Sequence, residues 1–174
     1  MMTNYVVHVG DNYPTPRISG WVGNYLEFRF SLSDNWAQLY NLTDNSTHKI
    51  MGVSDLFGSN SMRLGVRRAP LNQNGITAVN YTHVKGKVGY PAIKDHNEKA
   101  LILHYCAVYT CRIFEAGNQW EIQVWLDGKL LGRLATTMSI PKNVLGRRLS
   151  GIYVEVGSQP SPFELNTSIE IVQK

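Results

Sequence analysis

The sequence predicts an all-β chain, folded as two packed antiparallel sheets. Three observations carry that prediction. Apolar and polar residues alternate with a period of two in several segments, which is the signature of strands with one buried face. Gln119 to Gly132, QWEIQVWLDGKLLG, reads as strand, two-residue turn and strand, and Asp127-Gly128 tolerates the positive φ that a type I′ turn demands. No segment has the 3.6-residue apolar stripe of a long amphipathic helix. The 174 residues suit one domain, 1–174, with residues 1–24 a less regular start.

In chain order, Tyr5 to Val9 is a short strand, followed by turn chemistry at Asp11 to Pro14 and Ile18 to Gly20. Tyr25 to Leu32 points Leu26, Phe28, Phe30 and Leu32 to one side. A second short strand is expected at Trp36 to Tyr40, then a polar turn at 41–47. His48 to Asn60 is apolar without strict alternation and reads as a loop or single helical turn on the core. Met62 to Arg68 alternates until Ala69-Pro70, because proline cannot continue a central ladder. A turn at 72–75 leads to the strand Ile76 to Val84, then a bend at Lys85-Gly86-Lys87 and a looser stretch through Glu98.

Lys99 to Glu115 is the longest extended candidate, a bent or bulged strand. Cys106 and Cys111 both fall within it. On a regular strand their Cα atoms stand roughly 16 Å apart, beyond disulfide reach. Free buried thiols suit a reducing compartment. The hairpin strands follow at 119–126 and 129–136. Residues 138–148 read as a loop, 149–156 as a strand, 157–162 as a turn and Phe163 to Val172 as the last strand.

Candidate chemistry is sparse. Glu27, Glu115, Glu121, Asp127 and Glu164 form no i, i+2 or i, i+4 carboxylate pair along a strand, as glycosidase chemistry would favour. His48, His83, His96 and His104 are scattered, no metal-ligand spacing occurs, and no cofactor is implied. No nucleophile elbow or phosphate-binding glycine loop is present. Four N-x-S/T sequons, at Asn41, Asn45, Asn80 and Asn166, are ascribed to chance in a chain rich in Asn, Ser and Thr. The net charge is +4. Arg63, Arg67 and Arg68 form a basic patch for a polyanion or, more plainly, a solvated strand face. The absence of basic runs with interleaved aromatics argues against nucleic acid. No apolar run is long enough to span a membrane, and no secretory signal is read at the start. The candidate ligand surface is aromatic: Trp125, with Tyr81, Tyr105 and Tyr109, as a stacking platform for a sugar ring.

Two resemblances add to this. The hairpin WEIQVWLDGKLLG is similar to that of concanavalin-like lectin and laminin-G-type jelly rolls. The order HKIMGVS, NSMRLGVR, YTHVKG and SPF before the last strand resembles small β-sandwich proteins of Bacteroidetes and their bacteriophages. Val66 stands where that pattern has Trp, and Phe163-Glu164 replaces its Pro-His ending. These resemblances imply a jelly-roll fold and a phage or bacterial source, and carry over no catalytic residue.

Chain ends fray unless something holds them, and ordered ends would be explained by neighbouring subunits. The leading expectation is therefore a non-enzymatic structural or decoration protein of a phage virion. It would dock to other subunits or copies of itself, in the particle or in the host cytoplasm before assembly. The alternative is a carbohydrate-binding, lectin-like module. The third is a polysaccharide lyase or hydrolase, which a groove gathering two carboxylates or a Tyr-His-Arg trio would mark.

Overall fold

Alternation organises the chain into fourteen strands among the residues that the computed structural model describes, 1–41, 46–70, 73–154 and 159–173. They are β1 (Thr3–Val7), β2 (Trp21–Val22), β3 (Tyr25–Leu32), β4 (His48–Ser54), β5 (Ser61–Arg68), β6 (Ile76–Val84) and β7 (Lys87–Gly89). After them come β8 (Lys94–Asp95), β9 (Ile102–Leu103), β10 (Tyr109–Ala116), β11 (Gln119–Leu126), β12 (Lys129–Thr137), β13 (Arg147–Ser150) and β14 (Leu165–Gln173). The first sheet has the order β1-β14-β3-β10-β11-β12-β8. The second has the order β2-β13-β4-β5-β6-β7, with β9 also on β6. Every strand pairing is antiparallel. The fold is an all-β, two-sheet antiparallel sandwich, as the alternation predicts.

Inward positions of both sheets meet in one core. Leu26, Phe28 and Phe30 of β3, Ile122 and Val124 of β11, and Met62 and Leu64 of β5 are fully buried. The hairpin turn takes the two positive φ angles its sequence permits, 49° at Asp127 and 76° at Gly128. A polar tie runs between the layers. Arg147 of β13 is 4% exposed, and its guanidinium donates to Glu115 of β10 at 3.1 Å and to Asn24 at 2.7 Å. The same group lies 4.7 Å from the Trp120 ring centre. A buried cation is tolerated because its donors have acceptors.

Three segments depart from expectation. His48–Ser54 is strand β4, not a loop. Its ladder with β5 is irregular between Lys49 and Met51, and the extra residue hides the period of two. Asp34–Asn41 is a 3-10 helix, not a strand. Trp36 anchors it from a fully buried position, its indole N–H donating to the Asn166 carbonyl at 3.1 Å. Lys99 to Glu115 is not one strand. β9 belongs to the second sheet and β10 to the first, and the chain crosses between layers with Cys106 at φ 62°. Both pieces are apolar because both line the same core, so composition alone does not separate them. The two cysteines are free, Cys106 exposed and Cys111 buried. Burial pushes the Cys111 thiol well up, which leaves it inert. The strand expected at 149–156 is shifted: β13 begins at Arg147 and ends at Ser150, residues 151–154 belong to no strand, and 155–156 lie outside the described residues. The turns expected at 41–47, 72–75 and 157–162 and the sequon residue Asn45 also fall wholly or partly outside them.

Phe28 packs against Phe30 with ring planes tilted by 48° and ring centres 5.9 Å apart, within this core. Phe28→Ala is expected to cost about 3–5 kcal/mol of stability, read as a lowered midpoint in urea unfolding with an unchanged slope.

Candidate functional site

The outward face of the second sheet carries the site, because register places its polar side chains side by side. Met62, Leu64 and Val66 of β5 point into the core, so Arg63 points out. Arg63 stands opposite Tyr81 of β6 on one side and Gly52 of β4 on the other. One step along, Ser61 stands between Ser54 and His83. The floor is made of small residues. A Cβ on Gly52 would lie 2.1 Å from the Met62 carbonyl oxygen, so only glycine fits where β4 passes β5.

Lys49 reaches this face through the irregularity in β4. It is three residues from Gly52 and in a regular strand would face the opposite way. The inserted Ile50 restores it to the outer face, opposite Gly65. Its ammonium lies 4.6 Å from the Tyr81 ring centre and 4.2 Å from that of Tyr153.

Tyr81 and His83, two apart on β6, share a face and form a hydrogen-bonded pair at 3.2 Å. The other imidazole nitrogen, Nδ1, lies 3.2 Å from the Gly58 carbonyl. A carbonyl only accepts, so Nδ1 carries the proton, Nε2 is the acceptor, and the Tyr81 hydroxyl donates to it. Burial lowers the His83 pKa from its usual 6.5, against the Gly58 carbonyl, and the charges of Arg63 and Lys49 lower it further. The imidazole is therefore neutral at pH 7. Burial also lowers the Arg63 pKa. The buried Arg63 Nε has no hydrogen-bond partner among the described residues.

A groove of about 410 Å³ opens over β13, β4 and β5 beside this pair. Arg17, Arg63 and Arg148 line it, and no carboxylate among the described residues does. One wall is the early segment around Tyr13, whose ring meets Tyr153 edge-on at 5.1 Å and carries the Arg17 guanidinium at 4.3 Å. That segment is held by reciprocal bonds between Asn12 and Val154. The opposite rim is the β4–β5 turn, where Phe57 is 88% exposed. Asp55 in that turn is occupied by the amides of Ser59 and Asn60. The groove is therefore cationic, with proton-transfer groups at its side.

The aromatic platform inferred from sequence is dispersed. Trp125 lies on the outer face of the first sheet, with the Arg112 guanidinium 4.7 Å from its ring centre and its N–H donating to Gln123 at 3.1 Å. Arg112 in turn binds Glu27 at 2.8 Å. Burial alone would raise the Glu27 carboxyl, but bonds from Tyr25 and Arg112 bring it below its ordinary value. The Tyr25 phenol is raised to about 12 by burial and by Glu27. Tyr109 is buried against Phe30, its hydroxyl accepting from the His104 amide at 2.7 Å, and Tyr105 packs at the core's edge. Tyr81 is on the other sheet. Arg63 and Arg67 share the outer face of β5 while Arg68 is turned from them. Arg63 lines the groove, and Arg67 and Arg68 do not.

Sequence reasoning missed Lys49, Tyr153 and Arg17, and treated His83 as isolated. The available signal was Tyr81-x-His83, an i, i+2 pair on one strand face. Tyr81, His83 and Arg63 stand together as a Tyr-His-Arg trio, but only Arg63 of the three lines the groove, so the mark of the third expectation is met in part. No cluster of three or more metal-ligating side chains occurs among the described residues.

No protein-family model and no curated protein matches the sequence. Solved structures do. An alginate lyase from Klebsiella pneumoniae superposes with a TM-score of 0.54 at 13% identity, over 86% of this chain and 59% of the lyase. The chain thus spans less than two thirds of that enzyme's length. The alginate lyase Aly36B, as a double mutant in complex with alginate tetrasaccharide, gives 0.58 at 11% identity, over 98% of this chain and 78% of the other. A glycosidic hydrolase gives 0.53 at 12% identity, covering 98% and 75%. At these identities the likeness establishes the jelly-roll sandwich. It shows no link to phages or Bacteroidetes. That these neighbours are polysaccharide-cleaving enzymes overturns the expectation of a non-enzymatic virion component and the accompanying exclusion of enzyme activity.

The hydrogen-bond geometry fixes an observable. In imidazole-nitrogen NMR, His83 is expected as the neutral Nδ1–H tautomer at pH 7, titrating below 6.5. A protonated ring at pH 7 would contradict the assignment.

Proposed function

We propose that this protein is a polysaccharide lyase that cleaves an acidic, uronate-bearing polymer by β-elimination at the Tyr81–His83 pair. The observation that carries this reading is the hydrogen-bonded Tyr81–His83 pair beside Arg63 and Lys49, next to a groove lined by no carboxylate among the described residues. A lyase acting on uronates has two electrostatic tasks. It must neutralise the sugar carboxylate, which makes the proton on the adjacent ring carbon removable, and it must supply a base of suitable pKa. Arg63, with a buried Nε lacking a partner among the described residues, takes the first task with Lys49. The pair takes the second. The Tyr81 oxygen removes the proton on the carbon next to the carboxylate as its own proton passes to His83 Nε2. The C–O bond on the neighbouring ring carbon breaks and a carbon–carbon double bond forms. The proton then returns from the imidazolium through Tyr81 to the departing sugar oxygen, so the pair ends as it began.

Hydrolysis by paired carboxylates is not favoured, because no carboxylate among the described residues lines the groove. The fold likeness to alginate lyases, one of them holding an alginate tetrasaccharide, supports an anionic polymer as substrate.

Incubation with alginate, polygalacturonate or glucuronan is expected to generate the ultraviolet absorbance of an unsaturated uronate. Tyr81→Phe and His83→Ala are expected to lower turnover by about 10²–10⁴-fold. No new absorbance on any of these polymers, or full activity in both variants, would overturn the proposal. Activity is expected to rise with pH through the depressed His83 pKa, below 6.5, because only the neutral ring accepts a proton.

A further inference from the structure

The outward row that contains His83 does not stop at the groove. Pairing registers follow it strand by strand: Trp21 of β2 opposite Arg148 of β13, Arg148 opposite Ser54 of β4, Ser54 opposite Ser61 of β5, Ser61 opposite His83 of β6, and His83 opposite Val88 of β7. Five steps between strands, each ~4.8 Å, make a line of about 24 Å across the sheet. The groove lining includes Arg148 and ends there, one strand short of Trp21.

We infer that a polyanionic sugar chain lies along this row at right angles to the strands, and that Trp21 is the stacking platform for a sugar ring at its far end. The inference rests on the lyase reading for the identity of the occupant, and adds the direction of the chain and a residue outside the groove.

Four observations carry it. Val22 is in the core at 3% exposure, so alternation turns the Trp21 indole outward, where it is 36% exposed. Arg147 and Leu149 point inward, so Arg148 points out beside it, and its guanidinium reaches the Leu56 carbonyl at 3.4 Å on the groove rim. Ser54 and Ser61 are the two residues between Arg148 and His83 in the row, and both side chains are small, so the row itself raises no bulky side chain between the two. No Asp or Glu stands in the row. An indole face for the apolar side of a pyranose, next to a guanidinium for its carboxylate, is the pairing that an acidic sugar requires.

The test is electrophoresis of the native protein through gels containing alginate or polygalacturonate. The Tyr81→Phe background is used so that cleavage does not confuse retention. Adding Trp21→Ala is expected to weaken retention about three- to ten-fold, and adding Trp21→Phe to restore most of it, which separates loss of the ring from loss of the fold. Retention unaltered by Trp21→Ala overturns the inference while leaving the lyase proposal to its own assay. Absence of retention of the Tyr81→Phe protein in both polymers also overturns it. Retention that depends on Trp21, when the unsubstituted protein forms no double bonds, upholds the track and removes the catalytic reading.

Discussion

The register of β4, β5 and β6 is the constraint on which the site depends. Side chains alternate across a sheet, so a slip of one residue would send Arg63, Tyr81 and His83 inward and Met62, Leu64 and Ala78 into water. Burying a guanidinium and an imidazole between the layers would cost several kcal/mol each, so the apolar inner face holds the polar outer face in place. Gly52 adds a steric lock, because no larger residue fits against the Met62 carbonyl. The irregularity at Ile50 corrects the phase for Lys49. Without it the ammonium would be on the wrong side of the sheet, away from the two tyrosines it lies over.

Electrostatics at the face follow from the same placement. Arg17, Arg63 and Arg148 share the groove with no carboxylate among the described residues to offset them, and burial, with the charge of Arg148, lowers the Arg63 pKa. Such an arrangement costs stability in the free protein, and an anionic ligand would relieve it. The contrast with Arg147 is instructive. That arginine is more deeply buried, yet its donors meet Glu115, Asn24 and backbone carbonyls. One arginine joins the sheets, and its neighbour in sequence faces outward toward the groove. Adjacent positions on β13 serve opposite purposes because the strand turns them to opposite sides.

Much of the fold was legible. Leu26, Phe28 and Phe30, and Ile122 and Val124, alternate plainly, and Asp127-Gly128 names its own turn. The legibility failed where periodicity was interrupted for a reason. At Ile50 the inserted residue broke the pattern, and an apolar strand looked like a loop. At Trp36 one large side chain docked into the core and overrode a local preference for extension. At Cys106 the chain changed sheets without changing composition. The site was harder still. Arg63, Tyr81 and Lys49 come from three strands, and their proximity is a fact of register, which depends on long-range pairing. The aromatic count pointed to Trp125, which the structure covers with Arg112, whereas Tyr81-x-His83 carried the better signal in its spacing.

The groove's two walls are fastened in different ways. The wall around Tyr13 is held by Asn12 and Val154, 142 residues apart in sequence, whereas the opposite rim is a turn between the neighbouring strands β4 and β5. Bringing distant segments together costs more chain entropy than closing a short turn. The width of the groove is therefore a property of the assembled sandwich, and no single hairpin could reproduce it.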